Sequence, residues 1–303
     1  MTRMISYAQN FEDVMLMRAL GHIEQGFYID IGANDPVVDS VSLAFHQSGW
    51  HGIHVEPMAD YAELLRQQRP GDKVIQAVVS TDTTPIPFYE ILGEGISTAD
   101  PLIAQQHRER GFQVNEIEIP TTTLSTIFDD CDEAEIHWLK IDVEGFEKQV
   151  IASWAPSERR PWVVVVESTL PLSQIPSHRR WQSALLKLGY RLVYFDGLNR
   201  FYLSEQHPEL KKHFATPPNV FDDFSLNGTA NAPFHHHLAE QCEEKLTQMA
   251  AKISQLQTNT PKAPKKARPK AAKTTSAQTQ EDRAANKADS VNNSPKTKKK
   301  GNT

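Results

Sequence analysis

Gly26-Phe-Tyr-Ile-Asp-Ile-Gly32 is a short apolar run ending in glycine, and it reads as a buried strand that breaks into a loop. The terminal glycine lets the backbone turn sharply and approach a ligand closely. Gly52-Ile-His-Val-Glu-Pro57 repeats the pattern with an acid at its tip. Residues 73–79, 136–142 and 162–167 read as three more buried strands, of which Trp162-Val-Val-Val-Val-Glu167 is the densest. Helices are expected between them. Tyr61, Leu64 and Leu65 stand at i, i+3, i+4 within 59–68, and further helices are expected over 146–153 and 178–188. Residues 190–195 and 200–203 read as two adjacent strands. The turn-rich link Asp196-Gly-Leu-Asn199 between them predicts an antiparallel hairpin. Stretches 86–91 and 116–119 alternate in polarity and read as peripheral strands.

Continuous β-branched strands alternating with helices mean a parallel sheet covered on both faces. The expected fold is therefore α/β: a doubly wound, mostly parallel, Rossmann-like sheet closed by a C-terminal antiparallel hairpin. Ligands of such a sheet bind outside the carboxyl ends of the strands.

The chain has 303 residues, 39% hydrophobic and 23% charged, enough for a sizeable core. The longest purely apolar run, residues 162–166, is far short of the ~20 residues that span a bilayer. No apolar leader follows Arg3, so no signal peptide is expected, and Cys131 and Cys242 are too few for a disulfide framework. A cytoplasmic location is the default expectation. The net charge of −6 hides two different bodies. Residues 258–303 carry twelve basic and three acidic residues, a net of +9, which leaves −15 on the rest. That segment has one valine and no aromatic residue, so it reads as a disordered basic tail. Without interleaved aromatics or a fold, it is not expected to read nucleic acid. Ala239, Cys242, Leu246, Met249, Ile253 and Leu256 follow a 3-4-3-4-3 spacing. Such a stripe serves either a terminal helix packed on its own domain or a homo-oligomer formed through 239–256 as a short coiled coil. The expected division is a domain over 1–233, an amphipathic helix over 234–257 and the tail over 258–303. The run His235-His-His237 is not expected to be a functional zinc site.

The strand tips carry the chemistry. Asp30, Gly32 and Asn34 close the first strand, and Glu56 closes the second about 24 residues after Gly32. An acid at that place typically accepts from both hydroxyls of a ribose. The loop is not the glycine-rich dinucleotide loop, because Asn34 replaces its second glycine and Asp30 and Asp35 disfavour a pyrophosphate. A nucleoside with a cationic extension fits better, and S-adenosylmethionine is such a ligand. Asp142, Glu144 and Glu167 crowd the next two tips, where like charges raise one another's pKa. Such crowding signals a cation, a base, or both, although Asp142 and Glu144 can also simply cap the following helix.

Five stretches together resemble the FkbM family of S-adenosylmethionine-dependent methyltransferases. They are Ser6-Tyr-Ala-Gln-Asn-Phe-Glu-Asp13, Tyr28-Ile-Asp-Ile-Gly-Ala-Asn-Asp-Pro36, Gly52-Ile-His-Val-Glu-Pro57, Leu139-Lys-Ile-Asp-Val-Glu-Gly-Phe-Glu147 and Asp196-Gly-Leu-Asn-Arg-Phe-Tyr202. The resemblance spans roughly residues 5–224, and its last stretch is similar to the subset associated with glycan assembly, whose members methylate sugar hydroxyls. It implies O-methyl transfer to a sugar or glycan acceptor, with a glycosyltransferase as a further partner. It implies a donor site of Gln9, Asp13, Asp30, Gly32, Asn34 and Glu56, with Gln9 and Asp13 near the methionine end. Glu144 is the expected base, with Asp142 as the substitute. Asp142 and Glu167 are placed to hold Mg²⁺, a hard ion that prefers oxygen ligands, with a metal-free acid cluster as the equal alternative. Trp181, Asn199 and Arg200 are positional candidates for the acceptor side. An NAD-type oxidoreductase would explain Glu56 but not the acid cluster, and a non-catalytic scaffold would work through the terminal helix and tail.

Overall fold

The computed structural model describes residues 4–93 and 95–259. It opens with β1 Met4–Ser6, α1 Glu12–Leu20, β2 Phe27–Ile31, α2 Leu43–Gln47, β3 His51–Val55, α3 Ala59–Gln68 and β4 Lys73–Ile75. A peripheral part follows: β5 Val78–Val79, β6 Ile86–Glu90, α4 Pro101–Glu109, β7 Asn115–Ile119, β8 Thr121–Thr122 and α5 Leu124–Asp129. The chain then returns through β9 Trp138–Ile141, α6 Glu147–Ala152, β10 Val163–Glu167, α7 Gln182–Lys187, β11 Tyr190–Phe195 and β12 Asn199–Ser204. β13 Phe224–Leu226 and α8 Pro233–Asn259 close the described part. Two compact units divide the chain, Met1–Ala251 and Lys252–Thr303. Of the second, residues 252–259 are described, and they are helical. The basic tail expected over 258–303 lies outside the described residues from 260 onward.

Seven strands form the central sheet in the order β11-β12-β10-β9-β2-β3-β4. β4, β3, β2, β9 and β10 run parallel, while β12 lies antiparallel to both β10 and β11. This is the expected doubly wound sheet with its closing hairpin. The chain starts in the middle at β2, builds outward to β4, and then returns to place β9 on the other side of β2. The crevice between β2 and β9 is therefore the topological switch point, where an open sheet binds its ligand.

Both faces of the inner strands of the sheet are dry, while the edge strands β4 and β11 are partly exposed. On β10, Val164 and Val166 join one core cluster and Val163 and Val165 the other, so the unbroken apolar run is what a doubly covered strand requires. Trp138 is fully buried and stacks on Tyr28 at 4.8 Å and 11°. A side chain at Gly52 would collide with the Tyr28 ring, so glycine there is what lets the stack lie against β3.

Two expectations needed revision. The run 73–79 is two strands, because the chain leaves the central sheet after Ile75 and Val78–Val79 pairs with Thr121–Thr122 instead. The helix expected over 178–188 is a 3-10 turn at His178–Arg180 followed by α7, with Trp181 between them at φ −135° and buried in the core. The stripe of α8 is open to solvent: Leu246, Met249, Ile253 and Leu256 are each more than half exposed. The alternating stretches do pair with one another at the periphery, as β6 and β7.

Candidate active site

Gly32 turns the chain out of β2 at φ +77° and lies so close to the Asp142 carbonyl that any Cβ would overlap it. That contact draws the loop after β2 against the loop after β9 and opens a cavity of about 560 Å³ at the switch point. Gln9, Asp30, Gly32, Asn34, Glu56, Asp142, Glu144 and Glu167 all line it. Small-molecule sites run to ~300–1,000 Å³, so the space suits a ligand of that class.

Glu56 is buried at the tip of β3, where its two oxygens accept from the backbone N–H of Asn34 and of Met58, each at 2.8 Å. Burial pushes its pKa up to about 7, against the pull of those two donors. Asn34 sits at φ +50°, a left-handed conformation that the Glu56 bond helps to hold. Asp30 is buried beside it, and its Oδ1 has no hydrogen-bond partner within the protein.

On the far side of the crevice, Lys140 donates to Asp142 Oδ2 at 2.8 Å. Burial disfavours the ammonium, but Asp142, Asp30 and Glu12 outweigh it and hold the Lys140 pKa above the usual lysine value. Asp142, Glu144 and Glu167 each bring a carboxylate oxygen within 4.8 Å of the others. Burial first, then neighbouring carboxylates, raise the pKa of both Glu144 and Glu167 well above the ordinary range. Glu167 Oε2 is buried with no partner in the protein. Glu144 stands at φ +53°, and its carbonyl accepts from Thr98 Oγ1 at 2.8 Å. It does not cap α6: Glu147, buried within the next turn, takes the Gly145 N–H at 2.9 Å.

Other expected residues fall elsewhere. Asp13 does not line the cavity. Its carboxylate accepts from Ser6 Oγ and from the Tyr7, Ala8 and Val14 backbones, so it pins the turn that presents Gln9. Asn199 donates to Glu12 at 2.6 Å, Arg200 lies over the Phe195 ring, and Trp181 is core; none of the three lines the cavity.

Glu12, Asp39, Lys140 and Asn231 line the cavity without having been singled out as site residues. Glu12 opens α1 and is held by Asn10 N–H and Asn199, and burial with Asp196 nearby pushes its pKa up to about 8. Asp39 receives both the backbone and the side-chain N–H of Asn231, at 2.9 and 2.8 Å. Glu12 and Lys140 sit inside stretches already quoted for the resemblance, so their neighbours were the available signal. Asn231 lies beyond those stretches and gives no signal in the sequence.

The α/β sheet carries a cavity at its switch point lined by acids from the strand tips, and a family comparison gives the class. A family model described as the methyltransferase FkbM domain matches residues 30–192, more than half of the chain. The chain belongs to that family, and with it to the S-adenosylmethionine-dependent methyltransferases. The residues fit such a donor: an orphaned carboxylate oxygen at Asp30, a Cβ-free approach at Gly32, and an acid at Glu56. No curated protein matches the chain. Similar solved structures include a TehB-like SAM-dependent methyltransferase from Corynebacterium glutamicum, at 8% identity and TM-score 0.36, covering 63% of this chain and 88% of that one. Another is a SAM-dependent methyltransferase of the DUF858 family from Leishmania major, at 11% identity and TM-score 0.31, covering 64% and 72%. Among the described residues, no helix is long and apolar enough to cross a membrane.

Proposed function

We propose that the protein methylates a hydroxyl group of a sugar or glycan intermediate. The observation that carries this reading is the convergence of Asp142, Glu144 and Glu167 on the same cavity as the donor residues. A sugar hydroxyl is a poor nucleophile near neutral pH, so its proton must be accepted as the new C–O bond forms. No histidine or cysteine lines the cavity among the described residues, and the raised pKa values of Lys140 and Tyr61 keep both protonated, so the carboxylates are the bases to weigh. Glu144 is that base: it lies in the carboxylate cluster on the cavity wall, and burial with its neighbouring carboxylates raises its proton affinity above that of an ordinary glutamate.

S-adenosylmethionine, when bound, supplies a sulfonium-activated methyl group. The chain supplies the rest. Glu56 accepts from the ribose hydroxyls, Asp30 and Gln9 face the amino-acid end, and Gly32 lets the loop close against it. Holding donor and acceptor in line is worth up to ~7–11 kcal/mol in well-oriented systems. Asp142 and Glu167 would hold a Mg²⁺, and the orphaned Glu167 Oε2 fits a ligand role. The metal would offset their mutual repulsion and lower the pKa of a bound hydroxyl. The two free cysteines suit a cytoplasmic setting, and a glycosyltransferase that makes the acceptor is the expected functional neighbour.

Incubation with methyl-labelled donor and a panel of nucleotide sugars, oligosaccharides, phenols and amines tests the reading. An O-methyl sugar, identified by mass spectrometry and NMR, is the expected product; transfer confined to amines or phenols would overturn it. Glu144→Gln should lower kcat ~100-fold or more while S-adenosylhomocysteine affinity stays within twofold. Chelation by EDTA should abolish turnover, Mg²⁺ should restore it, and donor binding should persist throughout. Turnover that survives EDTA would mean that the acid cluster works without metal.

A further inference from the structure

Val220 and Phe221 are 88% and 93% exposed, more than any other large apolar residue among the described ones. They stand on a 3-10 turn, Val220–Asp222, whose backbone is fixed from two sides. Asn219 caps it: its side chain accepts from the Phe221 N–H at 3.1 Å, and its own N–H donates to Asp222 at 2.7 Å. Arg18 of α1 donates to both Asp222 oxygens, at 2.7 and 2.6 Å, and also to the carbonyls of His213, Thr216 and Pro217. The turn is therefore held in one shape, yet the two side chains it carries pack against almost nothing of the fold. Its surroundings balance in charge, with Arg18, Lys211 and Lys212 against Glu209, Asp222 and Asp223. Residues 1–257 carry a net −15, but screening limits that field to ~10 Å at 0.1 M salt, so an anionic surface can approach here. Residues 258–303 carry a net +9 and hold one valine and no leucine, isoleucine, methionine or aromatic residue. They have little with which to cover the turn, and their charge favours an anionic partner.

We propose that the Val220–Phe221 turn inserts into an anionic lipid surface, with residues 258–303 supplying the electrostatic part of the attachment. Stable peripheral binding takes two signals, because a short apolar anchor or a basic stretch alone holds weakly. A protein partner would need ~800 Å² of complementary surface on each side. Two side chains standing clear of the fold offer a tip instead, which a fluid headgroup layer can close around. Neither Val220 nor Phe221 lines the catalytic cavity, so this surface is separate from the active site.

Co-sedimentation of the full chain with two kinds of vesicle tests this: phosphatidylcholine mixed with phosphatidylglycerol, and phosphatidylcholine alone. Wild-type protein should bind the mixed vesicles at low salt and the neutral ones roughly tenfold or more weakly. Val220→Ser with Phe221→Ser should cut partitioning into the mixed vesicles roughly tenfold or more. Its melting temperature should not move, because neither side chain is buried. Phe221→Trp should keep the wild-type partitioning, since tryptophan also suits the headgroup layer. Equal pelleting of wild type and the double variant would overturn the role of the turn. Equal pelleting on both kinds of vesicle would overturn the anionic surface. Wild-type protein that stays in the supernatant would overturn the proposal outright. If the double variant then also sediments as a smaller species than wild type without lipid, the turn is a contact between copies of the chain.

Discussion

At the scale of single residues, Glu56 makes the sharpest predictions. Its two backbone bonds leave a lone pair on each oxygen for the ribose, so Glu56→Ala should cost ~1.5–3 kcal/mol of S-adenosylhomocysteine affinity, the range for hydrogen bonds to a charged group. Burial raises its pKa to about 7 in the free protein. Hydroxyl donors favour the ionised form, so binding pulls that pKa down and takes up no proton above it. As pH falls through 7 the free carboxyl protonates, and affinity should fall with it, by up to tenfold per unit. Glu12 and Glu147 titrate nearby, at about 8 and about 7, so the diagnostic quantity is the difference between wild type and Glu56→Gln. Calorimetry between pH 5.5 and 8.5 should show a steeper profile for wild type than for the variant. Identical slopes would remove Glu56 from the site.

At the scale of elements, the loop after β2 depends on a contact no sequence pattern announces. Gly32 reads as a turn residue, yet the structure shows a second demand, the Asp142 carbonyl occupying the space of a Cβ. Gly32→Ala therefore combines an unfavourable positive φ, ~1–2 kcal/mol, with a backbone collision that must push β2 and β9 loops apart. A stability loss of roughly 2–4 kcal/mol by urea unfolding is expected, along with lost donor binding. Unchanged stability would mean that the two loops are not packed as described. Strands such as β10 announce themselves because both their faces are buried, and tip residues such as Asp30, Glu56 and Glu167 follow from knowing where strands end. The split of 73–79 stayed hidden because Val74, Ile75, Val78 and Val79 read as one β-branched run, although their strands have different pairing partners. Asp13 and Glu12 stand side by side at the start of α1, and only the fold shows that one faces the turn and the other the cavity. The Asp39–Asn231 contact joins residues 192 apart, and no local signal reports it.

At the scale of the whole molecule, the charge split between residues 1–257 and 258–303 predicts that a homodimer formed through α8 would depend on salt. The stripe at Leu246, Met249, Ile253 and Leu256 is solvent-exposed in α8 and has the spacing of a coiled-coil seam. Fewer than three full heptads bury little area, so a homodimer formed there should be weak and concentration-dependent. Each helix leads into a segment carrying a net +9 over 258–303. In a parallel pair the two basic segments start from the same end and repel. That repulsion is screened over ~10 Å at 0.1 M salt and ~3 Å at 1 M. Sedimentation equilibrium on the full chain should therefore show dimer formation that strengthens as salt rises, the reverse of an interface held by ion pairs. Leu246→Glu with Ile253→Glu should give a monomer at every salt concentration without moving the melting temperature, because neither side chain contributes to a buried core. Association that weakens with salt would point instead to an antiparallel pair or to the basic segment binding the acidic body of a second copy. A chain that stays monomeric at high concentration and high salt would leave the seam without a partner of its own kind.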